Sequence, residues 1–120
     1  MNPVKPLNNL AVHVSDNLSP ILSKPFLIDG NIIEGKESFF NEFSKKLQFP
    51  DFFGKNWDGF YDCITDLSWL NTQESYLIIY ENPFNFQLKN TDDWKIANEI
   101  LLDAVNYWKQ QGKPMVIVFL

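Results

Sequence analysis

Apolar residues recur at helical spacing between residues 36 and 47. Four of them share one face of the expected helix: Phe39, Phe40, Phe43 and Leu47. Glu42 and Lys46 form an i,i+4 pair of opposite charge on another face. This pattern predicts an amphipathic helix over residues 36–47, closed by Pro50.

A second helix is predicted from Trp57 to about Asp66, after an aromatic loop at residues 52–54. Asn56 is a favourable N-cap for it. Helical phase predicts three inward-facing residues: Trp57, Phe60 and Ile64. Gly59 inside this helix lowers the stability of the helix by about 1 kcal/mol relative to Ala. Close approach of another backbone and close helix packing explain that glycine equally well.

Three short apolar segments predict β-strands. Residues 26–28 run into a turn signal, and residues 77–80 form an unbroken run typical of a strand buried on both faces. After a loop, Thr91 is the predicted N-cap of a helix, and residues 115–119 form the last strand. The apolar stripe of that helix comprises Trp94, Ala97, Leu101, Ala104, Val105 and Trp108. This order of elements predicts a small α/β fold with a parallel sheet flanked by helices.

The first 24 residues differ from the rest of the chain. Residues 1–24 are rich in Asn, Ser and Pro, and we interpret them as an N-terminal extension of a domain at residues 25–120. One apolar patch, residues 10–14, is a candidate short strand. The extension could add an edge strand to the sheet or enlarge a binding surface.

The chain is acidic, with a formal net charge of -5 and a pI of about 4.7. All ten basic residues are Lys. Direct nucleic-acid binding is not expected, because phosphate recognition depends on clustered positive charge, with Arg preferred for bidentate contacts. An acidic surface instead suits a basic protein partner, since complementary fields speed association.

Cys63 is the only cysteine among the 120 residues, which excludes an internal disulfide. The chain opens with no secretion-signal pattern, and no apolar run approaches the roughly 20 residues that cross a bilayer. We therefore expect a cytoplasmic protein with no membrane association. Without a nearby His, Cys63 is interpreted as a buried structural thiol.

The charge is concentrated in one part of the chain, where five carboxylates and one Lys at residues 51–74 give -4 of the total -5. Asp58, Asp62 and Asp66 lie four residues apart and should share one helix face, with Tyr61 standing outward between the first two. Like charges at this spacing cost roughly 0.2 to 0.5 kcal/mol per pair. The arrangement is therefore unfavourable for the helix itself.

Three interpretations of this acidic face compete. The first is a solvated helix surface with no specific role. The second is an enzymatic or metal site built on Asp58 and Asp62. The third is a face that binds a partner. The enzymatic alternative lacks further ligands, because the only histidine, His13, lies in the extension. We accordingly predict no catalytic residue, no metal and no cofactor.

The run from Phe49 to Thr65, FPDFFGKNWDGFYDCIT, resembles the loop and second helix of the barstar family. The resemblance extends over residues 26–120 and implies a three-stranded parallel sheet flanked by helices. It also implies a stoichiometric, non-enzymatic inhibitor of a small ribonuclease, whose active site the loop and second helix occlude. Related domains serve as immunity proteins beside bacterial toxins, so an antitoxin role is a further expectation.

The resemblance implies specific partner contacts. Asp62 takes the place of a carboxylate that occupies a substrate phosphate site, Asp58 contacts the same basic cluster, and Phe52 covers the catalytic groups. Seven residues are the candidate contacts: Phe52, Gly54, Asn56, Asp58, Tyr61, Asp62 and Asp66. The expected partner is a basic ribonuclease or nuclease toxin, in a 1:1 complex.

Several positions depart from the family pattern. Phe52 replaces a Tyr, Tyr61 replaces a Trp, and two acidic contact positions of the last helix fall on Tyr107 and Gln111. These departures leave the cognate ribonuclease open. The alternative from another class is a regulatory or scaffold domain that binds a basic protein without inhibiting it.

Overall fold

The computed structural model describes residues 24–51, 53–70 and 74–120. The N-terminal extension predicted at residues 1–24 lies outside the described residues except for Lys24, and so does its candidate strand at residues 10–14. The candidate contact Phe52 also lies outside them. The division between extension and domain therefore stays a prediction.

Three parallel strands form the sheet. They are β1 (Phe26–Asp29), β2 (Tyr76–Glu81) and β3 (Met115–Phe119), and β2 lies in the centre. Phe26 is in register with Ile78, which is in register with Ile117. The three-stranded parallel sheet expected from the sequence is confirmed.

The described residues form four α-helices beside this sheet: α1 (Lys36–Leu47), α2 (Trp57–Ile64), α3 (Phe84–Lys89) and α4 (Thr91–Gln110). They also form two short 3-10 helices, at Gly30–Ile32 and Ser68–Leu70. The predicted bounds of α1 are confirmed. The C-cap residue, Gln48, adopts the left-handed conformation, so the helix has already ended before Pro50. No described helix has both the length and the apolarity needed to cross a bilayer.

Two predictions between β2 and β3 are wrong. The loop expected after β2 contains the short helix α3. Asn90, not Thr91, occupies the N-cap position of α4, and the hydroxyl of Thr91 donates to the carbonyl oxygen of Gln87 at 2.8 Å. Thr91 therefore acts as a link from α4 back to α3.

The core lies on one face of the sheet. Seven strand residues point into it: Ile28, Tyr76, Ile78, Tyr80, Met115, Ile117 and Phe119. The helices contribute aromatic rings such as Phe39, which packs 5.0 Å from Phe60 and 5.6 Å from Phe86. On the opposite face Leu27 is 51% exposed, and Leu77 and Ile79 are only half-buried. The prediction that both faces of β2 are buried is therefore wrong.

The predicted pair of Glu42 and Lys46 is present at 2.9 Å, and it also contacts β1. Glu42 is only 3% exposed and accepts a hydrogen bond from the backbone N–H of Asp29 at 2.9 Å. Lys46 donates to the carbonyl oxygen of Leu27 at 2.8 Å. The pair thus joins α1 to the outer edge of β1.

Candidate partner-binding site

Two buried phenylalanines anchor the loop that precedes α2. Phe49 and Phe53 are 7% and 8% exposed, and their rings pack edge to face at 5.2 Å. Phe53 also packs perpendicular to Phe40 of α1 at 5.7 Å, and its backbone N–H donates to the carbonyl oxygen of Pro50. The loop is therefore fixed to the core on the N-terminal side of its exposed residues.

The exposed part of the loop comprises Gly54, Lys55 and Asn56. Lys55 adopts a positive φ of 54°, which a non-glycine residue adopts only when its surroundings favour it. Asn56 caps α2 as predicted, because its Oδ1 accepts from the N–H of Gly59 at 2.6 Å. The cap fixes the direction in which the loop enters the helix.

Gly59 permits the loop to fold closely against the first turn of α2. A Cβ at this position would lie 3.2 Å from Oδ1 of Asn56 and 3.6 Å from the backbone nitrogen of Gly54. The closest of these atoms belongs to the capping side chain, whereas the Gly54 nitrogen lies at an ordinary van der Waals distance, so the glycine chiefly leaves room for the Asn56 cap.

The inward face of α2 agrees with the prediction from helical phase. Phe60 and Ile64 have no exposed surface, and Trp57 is half-buried. The Trp57 ring packs 4.8 Å from that of Phe40, and Phe60 contacts Phe43 at 5.3 Å. This packing against α1 determines which side of α2 faces solvent.

The outward face of α2 presents Asp58, Tyr61 and Asp62, which are all exposed. Tyr61 is 37% exposed and is one of the few large apolar side chains at the described surface. Neither carboxylate has an ion-pair partner among the described residues, whose two salt bridges lie elsewhere. The face therefore offers two unpaired negative charges and one aromatic ring to a partner.

Asp66 is placed differently from the prediction. Helix α2 ends at Ile64, and the hydroxyl of Thr65 donates to the carbonyl oxygen of Tyr61 at 2.6 Å. Asp66 follows the helix and accepts a hydrogen bond from the N–H of Ser68 at 3.3 Å. The predicted stack of three aspartates along one helix is thus reduced to Asp58 and Asp62, with Asp66 exposed in the turn beyond.

Helix α4 supports the C-terminal end of α2. The indole N–H of Trp108 donates to the carbonyl oxygen of Ile64 at 2.8 Å. This carbonyl is one of those left without a partner inside a helix, so the bond satisfies it within the core. The sequence placed Trp108 in the apolar stripe of α4. A buried indole usually finds an acceptor for its N–H. The presence of a Trp in this stripe therefore indicated that such a hydrogen bond would form, but not that Ile64 would accept it.

Cys63 is a buried thiol, as the sequence predicted. It is 6% exposed, and burial raises the pKa of the thiol, with the charges of Asp66 and Asp62 raising it further. A thiol with a raised pKa is a poor nucleophile near neutral pH. The described residues contain no group of three or more His, Cys, Asp or Glu side chains that could hold a metal ion.

The two positions that depart from the acidic residues of the family pattern, Tyr107 and Gln111, lie at the C-terminal end of α4. Tyr107 is half-buried, and its ring packs 5.1 Å from that of Trp108. Gln111 is exposed directly after the helix. Both therefore lie next to the residue that contacts Ile64 of α2, and neither carries a charge.

Comparison with known proteins assigns the family. The family described as Barstar (barnase inhibitor) matches residues 23–120, which contain every described helix and strand. A protein of Bacillus subtilis (strain 168) named "Putative ribonuclease inhibitor YrdF" is 30% identical over 78 residues, covering 65% of this chain and 78% of that protein. The chain belongs to the barstar family.

Proposed function

We propose that this chain is a protein inhibitor of a basic ribonuclease, which it binds in a 1:1 complex. The loop at residues 52–56 and the outward face of α2 occlude the active site of the ribonuclease. The proposal assigns the chain no catalytic residue and no cofactor. It rests on family membership together with the surface chemistry of α2.

The observation that supports it most is the pair of exposed carboxylates, Asp58 and Asp62, one helical turn apart and without a described counter-ion. Ribonuclease active sites present cationic groups to the phosphates of RNA, and carboxylates on a rigid helix can occupy such phosphate sites. Repulsion between the two carboxylates is relieved when a basic partner neutralises them.

An interface also needs apolar anchors near its centre. Tyr61 lies on the helix between the two carboxylates and is exposed, whereas Trp57 and Phe60 are engaged in the core. Phe52 is proposed as a second anchor, with Gly54 and Asn56 as flanking contacts and Asp66 as a peripheral charge. The acidic surface would speed association with a basic enzyme by electrostatic steering.

The proposed biological role is that of an antitoxin or immunity protein in the bacterial cytoplasm. A cell that makes a nuclease must protect its own RNA, and the free thiol of Cys63 is compatible with a reducing compartment. Direct binding of RNA forms no part of the proposal, since Lys residues are the only cations and the net charge is negative.

The test is a titration of ribonuclease activity. A barnase-type ribonuclease, chosen first from the genes beside that of this chain, is mixed with increasing amounts of the purified chain. The proposal predicts a linear loss of RNA cleavage that reaches completion at one equivalent. Complex formation without loss of cleavage would contradict inhibition and support the scaffold alternative instead.

A further inference from the structure

One cation lies among the carboxylates of the candidate site. Lys55 is the only basic residue at positions 51–74, which carry five carboxylates. It is exposed in the loop directly before α2, and Asp58 follows three residues later. A positive charge at this place opposes the attraction between the acidic face and a basic partner, so its role differs from that of the aspartates.

The backbone of Lys55 has a conformation that its own hydrogen bonds do not explain. Four described non-glycine residues have a positive φ. Three of them, Gln48, Leu67 and Asn82, donate their backbone N–H to a described carbonyl oxygen. Lys55, with a φ of 54°, donates neither its N–H nor its ammonium to any described acceptor. Its conformation is therefore imposed by its neighbours.

Residues on both sides hold Lys55 in this conformation. On its N-terminal side, Phe53 is 8% exposed and donates its N–H to the carbonyl oxygen of Pro50 at 3.0 Å. On its C-terminal side, Asn56 caps α2 through its bond to the N–H of Gly59 at 2.6 Å. The backbone of Lys55 is thus fixed relative to α2. Residues held in the left-handed region by their surroundings cluster at functional sites.

A simpler role for Lys55 would be to neutralise a carboxylate of its own chain. Asp51 and Asp58 are the nearest in sequence, and both are exposed. Neither forms an ion pair with Lys55, because the two salt bridges of the described residues lie elsewhere. A cation just before the N-terminus of a helix is also unfavourable for the helix dipole. Neither a described ion pair nor the stability of α2 therefore accounts for Lys55.

We propose that Lys55 binds a carboxylate of the ribonuclease, beside the cationic groups that Asp58 and Asp62 contact. This inference rests on the proposed function. Enzymes that use general acid–base catalysis often employ Glu or Asp as the proton acceptor, and in a ribonuclease such a group lies next to the phosphate-binding cations. A carboxylate that faced only the aspartates of α2 would be repelled, and Lys55 provides the opposite charge. Lys55 thereby favours ribonucleases with an acidic residue at this place.

The sign of the effect of removing Lys55 separates this contact from long-range electrostatics. Without a contact, Lys55→Ala only makes the acidic face more negative and should strengthen binding to a basic enzyme. With the contact, the same variant should weaken binding. Lys55→Glu should weaken it further, because it places two carboxylates opposite each other. Lys55→Arg keeps the charge and should bind within about threefold of the wild-type chain.

The test measures the dissociation constant of the complex with the barnase-type ribonuclease used in the titration, from its association and dissociation rates. Lys95→Ala and Lys95→Glu are the controls, since Lys95 is exposed on α4 and has no described ion-pair partner. Relative to the matched Lys95 variant, Lys55→Ala should bind about fivefold or more weakly and Lys55→Glu about twentyfold or more weakly. Unchanged or stronger binding by Lys55→Ala would overturn the inference.

Double-mutant cycles then identify the partner group. Each Asp and Glu at the surface of the ribonuclease is changed to Ala in turn, and one of these changes should abolish the difference between Lys55→Ala and the wild-type chain. If no acidic residue couples to Lys55, the inference is wrong. A complex that still cleaves RNA would contradict the proposed inhibition alone, because the binding constants do not depend on cleavage. Failure of the wild-type chain to bind would overturn both.

Discussion

The indole N–H of Trp108 donates a hydrogen bond to the carbonyl oxygen of Ile64 at 2.8 Å, joining α4 to the last residue of α2. At the other end of α2, Oδ1 of Asn56 accepts from the N–H of Gly59 at 2.6 Å. The short helix that carries Asp58 and Asp62 is thus held by a side-chain hydrogen bond at each terminus. A binding surface held in this way loses less conformational entropy when a partner binds.

Trp108→Phe should lower the free energy of unfolding by about 1 to 3 kcal/mol, because the buried carbonyl of Ile64 loses its donor. Urea denaturation followed by circular dichroism measures the change. Trp94→Phe is the control, since Trp94 is also buried in α4 and the described residues provide no hydrogen bond to its indole. Equal destabilisation by the two variants would show that volume, not the hydrogen bond, determines the effect.

Asn56→Ala should cost about 1 kcal/mol of stability, because the N–H of Gly59 loses its acceptor. Asn56→Ser retains a side-chain oxygen and should recover most of that loss. Chemical denaturation gives the free energies, and amide exchange at Gly59 reports the cap directly. If the amide of Gly59 exchanges at the wild-type rate in both the Asn56→Ala and the Asn56→Ser variant, the N-cap does not stabilise α2 in solution.

Tyr80→Phe should leave stability at neutral pH unchanged or raise it by up to about 1 kcal/mol, because the buried hydroxyl has no described hydrogen-bond partner. Tyr76→Phe is the comparison, since the Tyr76 hydroxyl accepts from Lys113 at 3.4 Å. Thermal denaturation of both variants measures the difference. A clear loss of stability in Tyr80→Phe would mean that its hydroxyl has a partner after all.

The burial of the Tyr80 hydroxyl also predicts that the free energy of unfolding depends on pH. Burial raises the pKa of Tyr80 far above its ordinary value, and the carboxylate of Glu42 raises it further. Above about pH 10 the unfolded chain releases this proton while the folded chain retains it, so stability falls by up to roughly 1.4 kcal/mol per pH unit. Tyr80→Phe should flatten the decline between about pH 10 and pH 12. An unchanged slope would contradict this assignment.

Glu42→Ala should lower the free energy of unfolding by about 2 to 3 kcal/mol, because the N–H of Asp29 and the ammonium of Lys46 both lose a charged acceptor. Asn41→Ala, at an exposed position of the same helix, should change it by less than about 0.5 kcal/mol. Denaturant titrations of the two variants provide the comparison. A small effect of Glu42→Ala would show that water replaces the carboxylate at the edge of β1.

Much of this fold follows from local pattern. Helix α1 and strand β3 were predicted with their observed bounds, because apolar spacing and stop signals agree there. Helix α3 was not predicted, since its six residues follow Pro83 and are too few to establish a helical period. The half-exposure of Leu77 depends on which face of the sheet the helices cover, and spacing within one strand does not contain that information.

The candidate site was predictable to a similar extent. The outward position of Asp58 and the cap formed by Asn56 both follow from helical phase and capping preference. The displacement of Asp66 from the helix did not, because it depends on the early termination of α2 at Ile64. The contact between Trp108 and Ile64 joins residues 44 positions apart in the sequence, and only the packed structure reveals it.

The central claim concerns Asp58 and Asp62, and it is tested most directly by the inhibition constant of the double variant Asp58→Ala, Asp62→Ala against the cognate ribonuclease. The control, Glu37→Ala, Glu99→Ala, removes the same charge from exposed positions on α1 and α4. Each aspartate should contribute more than about 1 kcal/mol, so the double variant should bind at least about thirtyfold more weakly while remaining folded. Inhibition by the double variant equal to that of the control would contradict the account.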